Sequence, residues 1–185
     1  MGDRPLLRIR IDDDTDLRIY EERHAREVAE LVDQNRAYLR QWLPWVDSSR
    51  TVEDSKAFIQ NSLQQFARNE GFQLGVWYRG ELAGGIGYHP IDWAERKAEI
   101  GYWLGEAFQG KGLMTKACST LVTYAFDELG LHKVEIHCAT ENIRSCAIPK
   151  RLGFIQEGVL RDAEWLYDHF VDLVVFGMLA KEWHK

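Results

Sequence analysis

The order of secondary-structure signals in this 185-residue chain predicts a mixed α/β fold, a sheet with helices on its faces. Three observations predict it. Apolar residues alternate with period two through Phe72–Tyr78, Ala98–Leu104 and Val134–Thr140. Between the last two runs lies a strong helical pattern: Leu113, Ala117, Leu121, Ala125 and Leu129 fall four apart, and Met114, Cys118, Val122 and Phe126 form the adjacent row. The whole then reads as strands, strand–helix–strand–helix, and two closing strands, which is the order of a mixed sheet.

The elements follow in turn. From Leu6 to Glu21 two short strands flank the acidic turn Asp12-Asp13-Asp14-Thr15-Asp16. A calcium loop would need Gly at its sixth position and Glu at its twelfth, where Leu17 and Arg23 stand, so a solvated hairpin turn is the better account. A helix is expected over Arg23–Arg36, with Val28, Ala29 and Val32 on one face. The aromatic-rich stretch Tyr38–Val46, interrupted by Pro44, suits core packing, but Trp42, Leu43 and Trp45 are also candidates for the wall of a substrate groove. Thr51-Val52-Glu53-Asp54 reads as a capping box opening a second helix through Ile59, Leu63 and Phe66. Arg79-Gly80 makes a hairpin turn, and Gly84, Gly85 and Gly87 on the returning strand signal a bulge or a close backbone approach. A short helix should reach Leu152, closed by Gly153, and strands near 155–165 and 169–180 should join at Tyr167-Asp168.

Composition narrows the function classes. With 45% hydrophobic residues and no repeat or linker, residues 1–185 read as one globular domain. No apolar run suits a membrane span, and Met1-Gly2-Asp3-Arg4 does not open a secretory signal, so a cytoplasmic protein is expected. A net charge of -6 argues against a nucleic-acid partner, which needs clustered Lys and Arg, and is compatible with a basic one. Cys118, Cys138 and Cys146 have neither disulfide nor zinc spacing and are expected to be reduced and buried; no metal is expected.

The segment richest in chemistry is Gly105–Gly112, between a strand and a helix. Helix-opening amides lack intrahelical acceptors and carry the positive end of the dipole, and glycines let the backbone approach an anion. A pyrophosphate is a natural ligand there. Gly105, Gly110 and Lys111 fit a P-loop, but Gly112 stands where Ser or Thr must hold magnesium. A dinucleotide fingerprint fails because Thr115 replaces its last Gly. A glycine turn that merely starts a helix stays open from this segment alone.

The run Gln109-x-x-Gly112 after a strand resembles the coenzyme-A loop of the GNAT acetyltransferases, Arg/Gln-x-x-Gly-x-Gly/Ala, with Met114 at the departing last position. Ile100–Leu104 and Gln109–Thr115 are similar to the RimJ/RimL branch, the ribosomal-protein N-terminal acetyltransferases. A second motif agrees: Asn142-x-x-Ser145-x-x-Ile148-x-x-Arg151-x-Gly153-Phe154 resembles the family segment after the splayed strand. The likeness runs from Asn35-Arg36-x-x-Leu39 to the final hairpin. It implies a mostly antiparallel sheet with a splayed parallel pair, here 98–104 and 134–140, and acetyl-CoA as cosubstrate. It also implies cofactor contacts from Trp103, Leu104, Gln109, Gly110, Lys111, Gly112, Leu113, Met114, Thr115 and Asn142, with a backbone N–H near Trp103 or Leu104 at the oxyanion. Lys150 and Arg151 read as solvated helix charges that could also meet phosphates.

Acetyl transfer to an amine needs a proton acceptor, and two carboxylates compete. Glu164 matches a glutamate proposed as base in RimL-like enzymes; Glu99 matches a strand glutamate used elsewhere in the family. Aromatic neighbours (Trp165 for one, Tyr102 and Trp103 for the other) could raise either pKa by desolvation, and Glu164 is preferred. Ser145 resembles the residue that protonates the leaving thiolate, and a helix N-cap is its ordinary alternative.

A free α-amine titrates near ~7.7–8.0 and lysine near ~10.4, so lysine costs roughly 3–4 kcal/mol more to deprotonate at neutral pH. An enzyme with a modest base suits an N-terminal amine, in keeping with the resemblance to ribosomal-protein acetyltransferases. Acetylation of a polyamine or aminoglycoside, and non-catalytic acyl-CoA binding, are the alternatives; a ping-pong route through cysteine lacks a histidine partner. A homodimer is left open.

Overall fold

A computed structural model describes residues 7–184; Leu6, Met1-Gly2-Asp3-Arg4 and the rest of the first six residues lie outside them, as does Lys185. Eight strands are described: β1 (Arg8–Arg10), β2 (Thr15–Ile19), β3 (Gln73–Tyr78), β4 (Glu81–Tyr88), β5 (Lys97–Leu104), β6 (Lys133–Ala139), β7 (Ile155–Leu166) and β8 (His169–Leu179). Five α-helices accompany them: α1 (Ala25–Gln34), α2 (Arg36–Leu39), α3 (Val52–Ala67), α4 (Leu113–Asp127) and α5 (Ile143–Arg151). Hydrogen-bonded neighbours give the order β1-β2-β3-β4-β5-β6-β8-β7. The pairs β1–β2, β2–β3, β3–β4, β6–β8 and β7–β8 are antiparallel, while β5–β6 is parallel. The mixed α/β class and its parallel pair are as the sequence implies.

The chain forms two compact units. One comprises the described residues up to Gly87 with Tyr102–Leu113; the other comprises Tyr88–Gly101 with the chain from Met114. In the first, α1 and α3 cover a core of Tyr20, Val28, Val32, Leu39, Val46, Ile59 and Trp77. The helix expected over Arg23–Arg36 breaks at Asn35, whose φ of -113° is not helical, and resumes as α2. The Thr51 capping box forms as read: its hydroxyl accepts from the Asp54 amide at 3.1 Å, and the Asp54 carboxylate accepts from the Thr51 amide at 2.9 Å. Phe66, expected on the buried face, is 42% exposed because α3 turns its last apolar row outward.

The glycines of β4 answer a close approach. A Cβ on Gly84 would strike the Trp103 carbonyl oxygen, and one on Gly85 would meet the Trp103 indole nitrogen at 2.5 Å. The β3–β4 register also slips between Val76 and Trp77, so the bulge is present as well. Arg79 and Gly80 both take positive φ, 54° and 87°, as a tight hairpin requires.

In the second unit β6 alternates faces. Val134, Ile136 and Cys138 are buried on one side, and Ala117, Cys118, Leu121, Val122 and Ala125 of α4 are buried in the same unit. Lys133, Glu135 and His137 occupy the other side. The β5–β6 ladder consists of Lys97↔Lys133, Ala98↔Val134 and Glu99↔Glu135 and stops there, whereas β6 keeps its pairing with β8 as far as Ala139↔Leu173. The edge of β6 that leaves β5 thus carries main-chain groups outside the ladder.

Candidate active site

Both candidate carboxylates lie in the second unit, on the sheet face opposite its core. Glu99 stands on β5 and is level with Glu135. The His137 Nδ1 is 3.4 Å from one Glu99 oxygen, and the His89 Nε2 is 3.9 Å from the other. His137 faces Glu135 with its second nitrogen at 3.5 Å, and Lys133 closes the row at 2.7 Å from Glu135. Hence β6 presents Lys133, Glu135 and His137 as a charged ladder beside Glu99. The structure adds His89 and His137 to the residues read from sequence. Their signal was the period of two: His137 falls on the polar side of β6, opposite Val134, Ile136 and Cys138. His89 needed coordinates, since it follows β4 and rests against Gly101, where a Cβ would come within 2.7 Å of its ring nitrogen.

Glu164 reaches this group through a distortion of β7. Between Leu160↔Leu173 and Glu164↔Val171, β7 uses four steps where β8 uses two. The two extra residues form a bulge: Asp162 adopts φ 48°, and its amide is tied to the Asp172 carboxylate at 2.8 Å. Partial burial raises the pKa of Glu164, the negative charge of Glu99 raises it further, and His89 pulls it back. The expected aromatic neighbour is on the other side of the strand: Trp165 is 51% exposed and packs edge-on against Phe170, with ring centres 4.8 Å apart. Desolvation near Glu164 therefore has another source than the Trp165 ring. Among the described residues no three His, Cys, Asp or Glu side chains gather as metal ligands do.

Ser145 and Asn142 exchange parts. The N-cap of α5 is Asn142, whose side-chain oxygen accepts from the Ser145 amide at 3.2 Å. The capping role considered for Ser145 therefore belongs to Asn142. The Ser145 hydroxyl instead lies 3.2 Å from the Cys138 sulfur. Cys118, Cys138 and Cys146 are all buried thiols, and burial holds the Cys118 thiol well above its ordinary pKa.

The glycine loop is exposed and takes left-handed backbone. Gly110 and Gly112 both take φ 74°, with nothing within 4 Å of a Cβ at either, and Gly110, Lys111 and Gly112 are exposed at the start of α4. Lys111 donates to the Ala107 carbonyl and lies over the Phe108 ring. Leu113 and Met114 turn inward and are buried, so their side chains serve packing and only their main chain faces the loop. In the second unit Arg151, at the end of α5, reaches Thr115 in the first turn of α4 (Nη1 to Oγ1, 3.4 Å). Lys150 lies over Phe176 instead. Gln109 sits half-buried in the first unit, where Trp103 and Leu104 end β5. There Trp45 stacks edge-on against Trp103, with ring centres 5.8 Å apart, while Leu43 and Trp45 pack on the core and Trp42 is half-buried.

The family model for the acetyltransferase (GNAT) domain matches residues 15–155. The chain belongs to the GNAT family. YdaF of Bacillus subtilis is 38% identical over 175 residues, covering 94% of this chain and 96% of that protein. The ribosomal-protein-serine acetyltransferase of Escherichia coli is 29% identical, over 92% of this chain and 96% of its own. Among solved structures, the RimL ribosomal L7/L12 α-N-protein acetyltransferase in complex with coenzyme A superposes with a TM-score of 0.90 at 27% identity, covering 94% of this chain and 98% of that one. The microcin C7 self-immunity acetyltransferase MccE, in complex with acetyl-CoA and AMP, gives 0.88 at 31% identity over 92% and 95%. This GNAT protein is therefore an acetyl-CoA-dependent N-acetyltransferase related to the ribosomal-protein acetyltransferases. Among its described residues no helix is long and apolar enough to cross a membrane.

Proposed function

We propose that this acetyltransferase acts on the N-terminal α-amine of a protein, by direct attack in a ternary complex, with Glu164 as the proton acceptor. The observation that carries the reading is the position of Glu164, partly buried and near Glu99, where burial first and that like charge second raise its pKa. An ordinary carboxylate is too weak a base for an ammonium group; one lifted by burial and a neighbouring charge is better matched to an α-amine, the more acidic of the two common protein amines. Two carboxylates on one face also attract the cationic form of the acceptor before it is deprotonated.

Acetyl-CoA supplies an activated thioester carbonyl when bound. The chain's residues fit it on their own geometry. In the first unit the exposed Gly110–Gly112 turn suits the pyrophosphate; in the second, Arg151, which reaches Thr115 near the start of α4, is a cation suited to a phosphate. The edge of β6 beyond Glu135 suits the amides of an extended arm. Glu164 takes the proton that the ammonium loses, and the Ser145 hydroxyl, on α5 beside Cys138 of β6, gives the proton to the leaving sulfur. Glu99, held by His137, serves as the charge that tunes Glu164 and not as a second base.

The likeness to MccE supports one rival, a small-molecule acceptor. Replacement of Glu164 by Gln separates catalysis from mere binding of acyl-CoA. The variant should bind coenzyme A as the wild type does and transfer acetyl ~10²-fold more slowly. Equal rates would overturn Glu164 as base.

A further inference from the structure

We propose that Asn35 and Arg36, adjacent residues at the joint between α1 and α2, are positioning residues that hold two separate pieces of the site from one point. This rests on the reading above, in which the turn at Gly110–Gly112 seats coenzyme A, and on the expectation from sequence that Trp42, Leu43 and Trp45 wall the acceptor groove. Asn35 serves the first piece. Its side-chain oxygen accepts from the Glu106 amide at 2.8 Å, while its side-chain nitrogen donates to the Leu31 carbonyl at 2.8 Å. A carboxamide carries an acceptor oxygen and a donor nitrogen on separate atoms of one short stem, as these two bonds require. Gly105 lets the turn come up against the joint: a Cβ there would stand 3.1 Å from Leu31 and 3.3 Å from the Asn35 nitrogen. The next residues, Glu106–Phe108, lead directly into the glycine loop.

Arg36 serves the second piece. Its two terminal nitrogens donate to the carbonyls of Val46 at 2.7 Å and Ser49 at 2.8 Å, and its Nε donates to Asp33 at 3.2 Å. Arg40 adds a forked pair to Asp47, at 3.0 and 3.1 Å from Nε and 3.0 Å from Nη2. The stretch Trp42–Trp45 is thus an arch whose far side is fastened by guanidinium groups. Trp45 in that arch rests on Trp103. These bonds fix irregular backbone that has no ladder of its own, and a planar five-donor group reaches two carbonyls where lysine would reach one. The interruption of the helix at Asn35 is what turns the two neighbouring side chains toward different partners.

The test compares the wild type with Asn35→Ala, Asn35→Gln and Arg36→Gln. Each is checked for folding by near-ultraviolet circular dichroism and titrated calorimetrically with coenzyme A. Each is then assayed with acetyl-CoA and with S-acetylpantetheine, which lacks the phosphates, using a peptide beginning with Ser. Both Asn35 variants should bind coenzyme A ~3–10-fold more weakly and lose kcat/KM with acetyl-CoA but not with S-acetylpantetheine. Asn35→Gln keeps an amide, displaced by one methylene, and covers the case in which Asn35→Ala does not fold. Arg36→Gln should raise the peptide KM ~3–10-fold while coenzyme A affinity holds. Equal losses with both donors, wild-type affinity for coenzyme A in the Asn35 variants, or an unchanged peptide KM in Arg36→Gln would overturn the proposal. Absence of coenzyme A binding by the wild type would instead overturn the functional reading beneath it.

Discussion

Glu99 acts on Glu164: its negative charge helps to raise the Glu164 carboxyl above the usual glutamate range, on top of the larger effect of burial. One stands on β5, the other on β7, and a bulge in β7 brings the second to the first. Glu99 in turn lies within 3.4 Å of His137 and 3.9 Å of His89. The site is therefore a small electrostatic circuit whose settings can be changed one residue at a time.

The first consequence concerns pH. A base must be ionised to accept a proton, so kcat/KM for the wild type should rise with pH through a limb placed above the ~4.3 of an unperturbed glutamate. Glu164→Gln should lose that limb. A pH–rate profile of both proteins checks it, and a limb that survives the substitution would assign the base elsewhere.

The neighbours should move the limb in opposite directions. Glu99→Gln removes a like charge, lowers the pKa of Glu164 and carries the limb to lower pH. His89→Gln removes the group that pulls the pKa down and carries it to higher pH. The paired profiles distinguish this circuit from general damage, which would lower rates without displacing the limb oppositely.

Stability should answer with the reverse sign to activity. A carboxyl whose folded pKa is raised binds its proton more tightly in the folded state than in the unfolded one. Its ionisation therefore costs stability as pH rises from the unfolded value through the folded value, and the cost is complete above that window. Glu164→Gln escapes the cost, so the slowed variant should melt higher than the wild type at neutral pH, with the difference vanishing below about pH 4. Thermal melts at both pH values measure it.

Arg151 is expected to matter for coenzyme A and little for the fold. It closes α5, where a cation is welcome, and reaches Thr115 at the opening of α4. Arg151→Gln should weaken coenzyme A binding ~3–10-fold and flatten its dependence on salt, as loss of one phosphate partner would. Calorimetry at two ionic strengths is the check.

Much of this arrangement was legible in the sequence, for identifiable reasons. Strands β5 and β6 and helix α4 follow from hydrophobic period, because β5 and β6 bury alternate residues and α4 buries its two apolar rows. Gly110, Gly112 and Gly153 were readable as turn or cap residues, and all three adopt positive φ. Other features depend on partners distant in the chain. The helix break at Asn35 answers to Glu106, 71 residues away, and no local signal announces it. The cap of α5 fell to Asn142 and not Ser145, since both residue types cap helices and only the backbone turn decides between them. Trp165 was expected to desolvate Glu164, but adjacent residues of a strand face opposite sides, and the ring turned to Phe170. His89 joins the carboxylates only because Gly101 leaves room for its ring.

The central claim is that the acceptor is an α-amine, and one measurement meets it directly. The enzyme is given acetyl-CoA and a peptide that begins with Ser and carries an internal lysine, with spermidine in the same tube, and the products are located by tandem mass spectrometry. A single acetyl on the peptide's α-amine, with lysine and spermidine unmodified, is the predicted result. Acetyl groups on spermidine or on the lysine side chain, with the α-amine left free, would contradict it.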